Sequence, residues 1–245
     1  FTGATITPVP HDRGKLRPEA VEPHLHALGE EHHSQPAVLS ISQVTEMGTV
    51  YTVDEIAELC DLAHRHGLVV HVDGARIANA VAAAGIGVRE MLRDTGVDLM
   101  TFGLTKDGAM YGEAVVHLRT ELATNGRFVR KQAGQLPSKA RFVASQLSAL
   151  LADDLWLRNA EHANAMARRL ADRVRGIDGV EVTGEPEANA LFVRLPADRI
   201  APLQEWSFFW PWDLDDSLVR WMTSFATTEA DVERFAAGVE AIVDP

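Results

Sequence analysis

The sequence predicts an α/β fold, in which a mostly parallel sheet forms a large domain and a small α+β domain follows it. Three short apolar runs alternate with helical segments, as the strands of a buried parallel sheet do: 37–43, 68–73 and 97–102. A long stretch with helical periodicity comes next, and shorter strands and helices follow it. These observations predict three parts: a large domain over 1–137, a helical bridge over 138–175 and a small domain over 176–245.

Charge and composition narrow the possible functions. The 245-residue chain has a formal net charge of −12, which argues against a nucleic-acid or anionic-membrane partner because both require a basic surface. Its single cysteine, Cys60, cannot form an intrachain disulfide and suits a reducing cytoplasm. No apolar run is long enough to span a membrane. The chain starts at Phe1 rather than at a methionine, and we expect an upstream segment to be missing.

In the first part of the chain, local signals define each element. Residues 5–9 predict a short strand, and Pro18 suits the first turn of a helix over 17–30. Thr52 and Glu55 form a capping box at the start of the next helix. The other elements predicted here are helices at 53–66, 77–84 and 88–94 and a strand at 113–118. Histidines in the first helix and the loop after it favour a solvated polar surface over a metal site, because helix positions two apart do not share a face: His24, His26, His32 and His33.

After Pro137 the pattern changes to a long helical stretch rich in alanine, leucine and arginine, with a break expected at Asp153 and Asp154. Thr228 and Asp231 cap the final helix, which runs to Val243. The other elements predicted here are strands at 180–183, 191–195 and 218–224 and a helix at 198–204. The aromatic segment at 206–212 favours core or interface packing, and cofactor stacking is its alternative.

Two predicted strand ends carry residues with chemical potential. The second buried strand ends at Asp73, with Arg76 three residues later, and the third is followed by Lys106. Ligands of open α/β sheets bind beyond the carboxyl ends of the strands. A pyridoxal-phosphate (PLP) enzyme needs a lysine that forms a Schiff base and an aspartate that keeps the pyridinium nitrogen protonated. Singly, each residue has a structural explanation, but together they favour a PLP site.

His71 and Arg220 are further candidates that keep structural alternatives. His71 lies two residues before Asp73 on the same face of the strand, where it could brace the pocket or be a satisfied core histidine. Arg220 lies inside an apolar strand, where an unpaired charge is unfavourable. Its planar guanidinium suits the carboxylate of an amino-acid substrate, and an acidic residue of the fold is an equally good partner.

Three stretches resemble a known family. HVDGARIANA at 71–80 resembles the HxDGARxxNA motif of the threonine aldolases, which belong to the β-eliminating lyase group of fold-type-I PLP enzymes. GLTKDG at 103–108 resembles their Schiff-base loop, and VRWMTSF at 219–225 resembles the strand whose arginine receives the substrate carboxylate. The resemblance covers nearly the whole chain. It implies a fold-type-I architecture without the N-terminal part of the family, and assembly as a homodimer or homotetramer.

The resemblance also implies a reaction and its residues. The reaction is PLP-dependent retro-aldol cleavage of a β-hydroxy-α-amino acid, as when threonine gives glycine and acetaldehyde. Lys106 would form the Schiff base, Asp73 would pair with the pyridinium nitrogen, and His71 would brace the cofactor. Arg76 would lie beside the phenolic oxygen and the substrate carboxylate, which Arg220 would clamp.

Two alternative functions remain open, and the sequence departs from the family pattern at one position. The same aspartate and lysine would serve PLP-dependent β-elimination, and a chain without its upstream segment could act only as an interaction or dimerisation module. Such a chain would also bind PLP weakly, because the missing part normally supplies phosphate-binding backbone and the histidine stacked on the ring. Some relatives have a histidine in the loop after the first buried strand. This chain has Glu46 there, so the general base is not identified.

Overall fold

The computed structural model describes residues 2–244, which form two four-stranded sheets connected by helices. The helices are α1 (Pro18–Val21), α2 (Val53–Arg65), α3 (Ile77–Ala84), α4 (Gly126–Gln132), α5 (Ala140–Leu151), α6 (Leu155–Val174), α7 (Ala197–Trp206) and α8 (Glu229–Val243). The strands are β1 (Val38–Ser42), β2 (Val69–Gly74), β3 (Leu99–Gly103), β4 (Glu113–His117), β5 (Glu181–Val182), β6 (Ala190–Arg194), β7 (Trp210–Asp213) and β8 (Leu218–Met222). Within the described residues, no helix is both long and apolar enough to cross a membrane.

The first sheet has the order β1-β2-β3-β4, and it confirms the predicted mostly parallel arrangement. β1, β2 and β3 are parallel, and β4 runs antiparallel to β3. In the register Asp73 lies between Ser42 of β1 and Thr101 of β3, and Glu113 lies opposite Gly103. The carboxyl ends of the three parallel strands and the first residue of β4 therefore lie together at one edge.

The two faces of this sheet differ in burial. One face is fully buried in the main hydrophobic core, with residues such as Val70 and Val72 of β2. The opposite face carries His71 and Asp73, and Val38 and Val115 at its two edges are 56% and 58% exposed. The apolar runs had predicted strands buried on both faces, whereas the described residues bury only one.

The second sheet has the order β5-β6-β8-β7 and is antiparallel throughout. The predicted break between the two long helices is confirmed at Asp153 and Asp154, whose φ angles are 50° and 54°. After this break, α6 contributes to both cores. Its first half supplies Trp156 to the core of the first sheet, and its second half supplies Leu170 to the core of the second.

Two sequence predictions are wrong, and a third, core packing of the aromatic segment, is confirmed chiefly for one residue. Residues 5–9 form no strand, and the helix expected over 17–30 is reduced to α1 and a 3-10 turn at Glu22–His24, within which Pro23 lacks the N–H that a continuing helix needs. The aromatic segment at 206–212 packs in the core chiefly through Phe209, since Phe208 and Trp210 are 70% and 62% exposed. The reason is that Trp210 lies on β7, an edge strand that the sequence did not reveal.

Candidate active site

The candidate site lies at the carboxyl edge of the first sheet, where the second sheet approaches it. β2 ends with Asp73, and Arg76 is the N-cap residue of α3. β3 leads into a 3-10 turn at Thr105–Asp107 that contains Lys106. The loop after β1 supplies Glu46, and β8 supplies Arg220 from the other sheet. The structure thus brings candidate residues from both sheets to one place.

Two glycines allow the strand-end loops to approach each other closely. A Cβ atom on Gly74 would lie 2.4 Å from the carbonyl oxygen of Thr101, and one on Gly103 would lie 2.8 Å from the Cα of Ala75. Both distances are shorter than real Cβ contacts, so only glycine fits. The backbone N–H of Ala75 also donates a 3.0 Å hydrogen bond to the Asp73 carboxylate, which orients that side chain.

Lys106 has the electrostatic surroundings of a reactive amine. Partial burial lowers its pKa, and the positive charge of Arg76 lowers it further. The carboxylates of Glu46, Asp73 and Glu113 act in the opposite direction without reversing the shift. A larger fraction of the amine is therefore neutral near pH 7 than for an ordinary lysine, and only the neutral form is nucleophilic. The next residue is fixed from α6, because the Asn159 amide donates a 2.7 Å hydrogen bond to the carbonyl oxygen of Asp107.

Arg220 and Arg76 share one carboxylate, that of Glu46. Arg220 Nη1 lies 2.8 Å from Glu46 Oε2, and Arg76 Nη1 lies 3.5 Å from Glu46 Oε1. Burial alone would raise the pKa of Glu46, but the hydrogen bond from Arg220 and the charges of Arg76, Arg220 and Lys106 hold it below its usual value. The Arg220 guanidinium also lies over the ring of Trp212, 4.7 Å from its centroid. Glu46 is therefore an ionised partner of both arginines.

His71 lies on the same face of the first sheet as Asp73. Its Nδ1 atom is 2.9 Å from the hydroxyl oxygen of Ser40, so the ring is hydrogen-bonded within the fold. Burial lowers the pKa of His71 more than the charge of Asp73 raises it, which favours a neutral imidazole at pH 7. A neutral, oriented ring is compatible both with bracing a cofactor and with a purely structural role.

Sequence reasoning did not identify two residues of this region, and it considered a third, Trp212, only as part of the aromatic segment at 206–212. Glu113 lies opposite Gly103, and its pKa is raised by burial and by Asp73 against the lowering effect of Lys106. Burial raises the pKa of Asp107 to about 7, and its Oδ2 atom has no hydrogen-bond partner among residues 2–244. Trp212 contacts Arg220. For Glu113, the available signal was its place at the start of a strand that follows the lysine loop.

The chemistry of these side chains fits PLP. Asp73 offers a carboxylate to a pyridinium nitrogen, Lys106 offers an amine with a lowered pKa, and two arginines offer positive charge for a carboxylate. One donor remains unused, because the buried Nε–H of Arg220 has no acceptor within the described chain. Between residues 2 and 244, no group of three or more histidine, cysteine, aspartate or glutamate side chains is arranged to hold a metal ion.

Comparison with known proteins decides the family. The family model for beta-eliminating lyases matches residues 1–197. The chain belongs to the beta-eliminating lyase family. It is 35% identical over 243 residues to a low-specificity L-threonine aldolase of a Pseudomonas species, a match that covers 98% of this chain and 70% of that relative. It is 38% identical over 223 residues to the low-specificity L-threonine aldolase of Pseudomonas aeruginosa, covering 90% of this chain and 63% of the relative.

A solved structure agrees with this placement. The threonine aldolase of Leishmania major superposes with a TM-score of 0.90 and 31% identity, over 99% of this chain and 71% of that one. The expected fold-type-I architecture is therefore confirmed. The expectation of a lyase is also confirmed, as is that of PLP as the cofactor, because members of this family depend on it.

Proposed function

We propose that this chain catalyses the PLP-dependent retro-aldol cleavage of a β-hydroxy-α-amino acid, with threonine giving glycine and acetaldehyde. The observation that carries the proposal is the position of Asp73 and Lys106 at neighbouring strand ends, with Arg76 and Arg220 beside them. The names of the two Pseudomonas relatives support the same reaction and substrate class.

Each side chain has a proposed role. Lys106 holds the cofactor covalently, and Asp73 keeps its ring nitrogen protonated by offering an anionic partner. Bound PLP supplies an electron sink for the pair of electrons left when the Cα–Cβ bond breaks. Arg220 binds the substrate carboxylate with its planar guanidinium, and Arg76 adds positive charge beside it. His71 braces the cofactor from the face of the sheet that it shares with Asp73.

The test combines cofactor binding with product analysis. Incubation with PLP should give an absorbance band that borohydride reduction fixes on Lys106, and Lys106→Ala should remove it. Threonine should then release acetaldehyde, detected through a coupled alcohol dehydrogenase. Label on Lys131 or Lys139 instead of Lys106 would refute the assignment.

The same assay separates the alternatives. β-Elimination would release pyruvate and ammonia from serine or β-chloroalanine without aldehyde. A non-catalytic interaction module would neither bind PLP nor release any of these products.

The organisation of the protein forms a second part of the proposal. We propose the domain division 1–137, 138–175 and 176–245, cytoplasmic localisation and assembly as a homodimer or homotetramer. Exposed apolar side chains support the assembly. They lie in the loop after Lys106, in α4 and in α5: Met110, Tyr111, Phe128, Val129 and Phe142. Burying such a surface against a second copy would be favourable.

A further inference from the structure

We propose that Glu46 is an internal counter-ion that takes the place of the substrate carboxylate and is displaced by it when substrate binds. The inference rests on the proposed function for the identity of the ligand as an α-amino acid. Its evidence is the ion-pair geometry at Arg220 and Arg76, which belongs to the chain itself.

The first step concerns the two arginines. Their side chains are only 14% and 13% exposed, so both positive charges are largely removed from water. Burial lowers the pKa of Arg76, Arg220 lowers it further through like-charge repulsion, and Glu46 raises it. Two buried cations side by side need an anion between them, and Glu46 supplies it.

The second step concerns the hydrogen-bond donors of Arg220, which Glu46 satisfies only in part. It gives Arg220 one side-chain contact, from Oε2 to Nη1, and its own backbone carbonyl accepts from the same nitrogen at 3.3 Å. The Nε–H of Arg220 is left without an acceptor among the described residues. A substrate carboxylate has two oxygens and can accept from Nε and Nη together, which is the stronger bidentate geometry.

The third step concerns which partner can move. The Glu46 side chain is 60% exposed, whereas both arginine side chains are largely shielded from water and that of Arg220 also packs over Trp212. Glu46 can therefore leave towards water at little cost while the arginines stay in place. Its ion pair is already partly screened by solvent, so its loss is easily offset by a better-placed carboxylate.

The exchange has a consequence for specificity. Replacing one carboxylate by another leaves the charge of the site unchanged, so an amino acid can displace Glu46 without leaving two unpaired cations. An amino alcohol or an amino-acid amide has no anion to offer, and it would have to bind with Glu46 still in place. Glu46 thus selects for ligands that carry a carboxylate.

The test is the affinity of the full chain for acetate, measured by isothermal titration calorimetry in the wild type and in Glu46→Gln. The variant should bind acetate about tenfold more tightly or better, because the anion no longer competes with an internal carboxylate. Acetamide should not show this gain. Glu181→Gln is the matched control, since Glu181 is 65% exposed and pairs with Arg194 at 3.0 Å elsewhere in the fold; its acetate affinity should equal that of the wild type.

Two further measurements complete the test. Glu46→Asp keeps the charge with a shorter reach, and it should give intermediate affinity even if Glu46→Gln does not fold. Equal or weaker acetate binding in the Glu46 variants than in the wild type overturns the proposal. If the acetate gain is observed but threonine is not cleaved, the counter-ion stands and the proposed reaction fails. If threonine is cleaved without the acetate gain, the proposed reaction stands and the counter-ion proposal fails.

Discussion

The candidate site combines two kinds of residue: Asp73 and Lys106 lie at the ends of neighbouring strands, whereas Glu46 and Arg220 come from parts of the chain that only the tertiary fold brings into contact. Each of the first two follows its own strand within a few residues, so the strand pattern alone placed both at one sheet edge. Glu46 and Arg220 are 174 residues apart, and their meeting depends on how the second sheet sits against the first. The sequence indicated that Arg220 needs a carboxylate partner, either from a substrate or from an acidic residue of the fold, but it did not indicate Glu46.

At the scale of single residues, the Asp73→Asn substitution tests the proposed electron sink. The variant should keep PLP bound, because Lys106 and the rest of the site are unchanged. Turnover of threonine should fall by about two to three orders of magnitude, the usual effect of removing one preorganised electrostatic partner. Parallel measurement of cofactor occupancy by absorbance and of kcat separates the two properties. Near-normal kcat in the variant would exclude this role for Asp73.

Arg220→Lys tests the carboxylate clamp. Lysine keeps the charge but loses the planar pair of donors, so the KM for threonine should rise by about 10- to 100-fold, corresponding to one or two charge-assisted hydrogen bonds. PLP affinity should change little, because the proposed role involves only the substrate. An unchanged KM with a lower thermal midpoint would instead favour the purely structural explanation.

At the scale of elements, Gly103→Ala tests the close approach of the two strand-end loops. The new methyl group would meet the Cα of Ala75 at 2.8 Å, so the loop that carries Asp73 must shift. We expect a loss of about 1 to 3 kcal/mol in the free energy of unfolding and weaker PLP binding. Gly87→Ala is the control, because no described heavy atom beyond its own residue and its two chain neighbours lies within 4 Å of the added Cβ. Equal effects of both substitutions would show that the approach is unimportant.

Asp98 immediately precedes β3, at the end of the first sheet that is opposite the candidate site. Its carboxylate accepts hydrogen bonds from the Val70 N–H at 2.8 Å and from Arg119 at 3.1 Å, and it lies 2.9 Å from His64 Nε2. Burial alone would raise the pKa of Asp98, but the bonds from Val70 and His64 and the charge of Arg119 hold it below the usual value. The stability that Asp98 contributes is therefore present above its unfolded pKa and is lost as the pH falls through its folded pKa.

Asp98→Asn tests this linkage. At neutral pH the variant should be less stable than the wild type by about 1 to 3 kcal/mol, because charge-assisted bonds become neutral ones. The difference should shrink as the pH is lowered below the ordinary aspartate range and through the depressed folded pKa of Asp98, because the wild-type carboxyl then also becomes protonated. Urea unfolding across this pH range measures both effects. A difference that stays constant with pH would show that packing, rather than ionisation, is responsible.

The helices and strands with strong local signals were predicted closely, and those that depend on tertiary packing were not. Thr52 and Glu55 form the expected capping box, as do Thr228 and Asp231. β7 was missed because it has only four residues and contains Pro211, and its strand character comes from pairing with β8. An edge strand has only one partner to define it, which here is β8.

At the scale of the whole molecule, the exposed apolar side chains of α4 predict the assembly. Phe128 is 59% exposed, and Phe128→Glu should shift the protein towards monomer in sedimentation equilibrium. Phe208→Glu is the control, since Phe208 is 70% exposed on the second sheet's side of the molecule and should leave the assembly unchanged. A wild-type chain that is monomeric at all accessible concentrations would contradict the proposed homo-oligomer.

The helix α6 contacts both halves of the candidate site. Asn159 of α6 holds the carbonyl oxygen of Asp107, next to Lys106, and the carbonyl oxygen of Ala163 accepts a 2.7 Å hydrogen bond from Thr223, just after the strand of Arg220. Residues four apart on a helix are separated by slightly more than one turn, or roughly 6 Å along the helix axis. The turn that contains Lys106 and the residue that follows β8 are thus hydrogen-bonded to adjacent turns of α6. The helix α6 therefore couples the position of Lys106 to that of Arg220, although the two residues belong to different sheets.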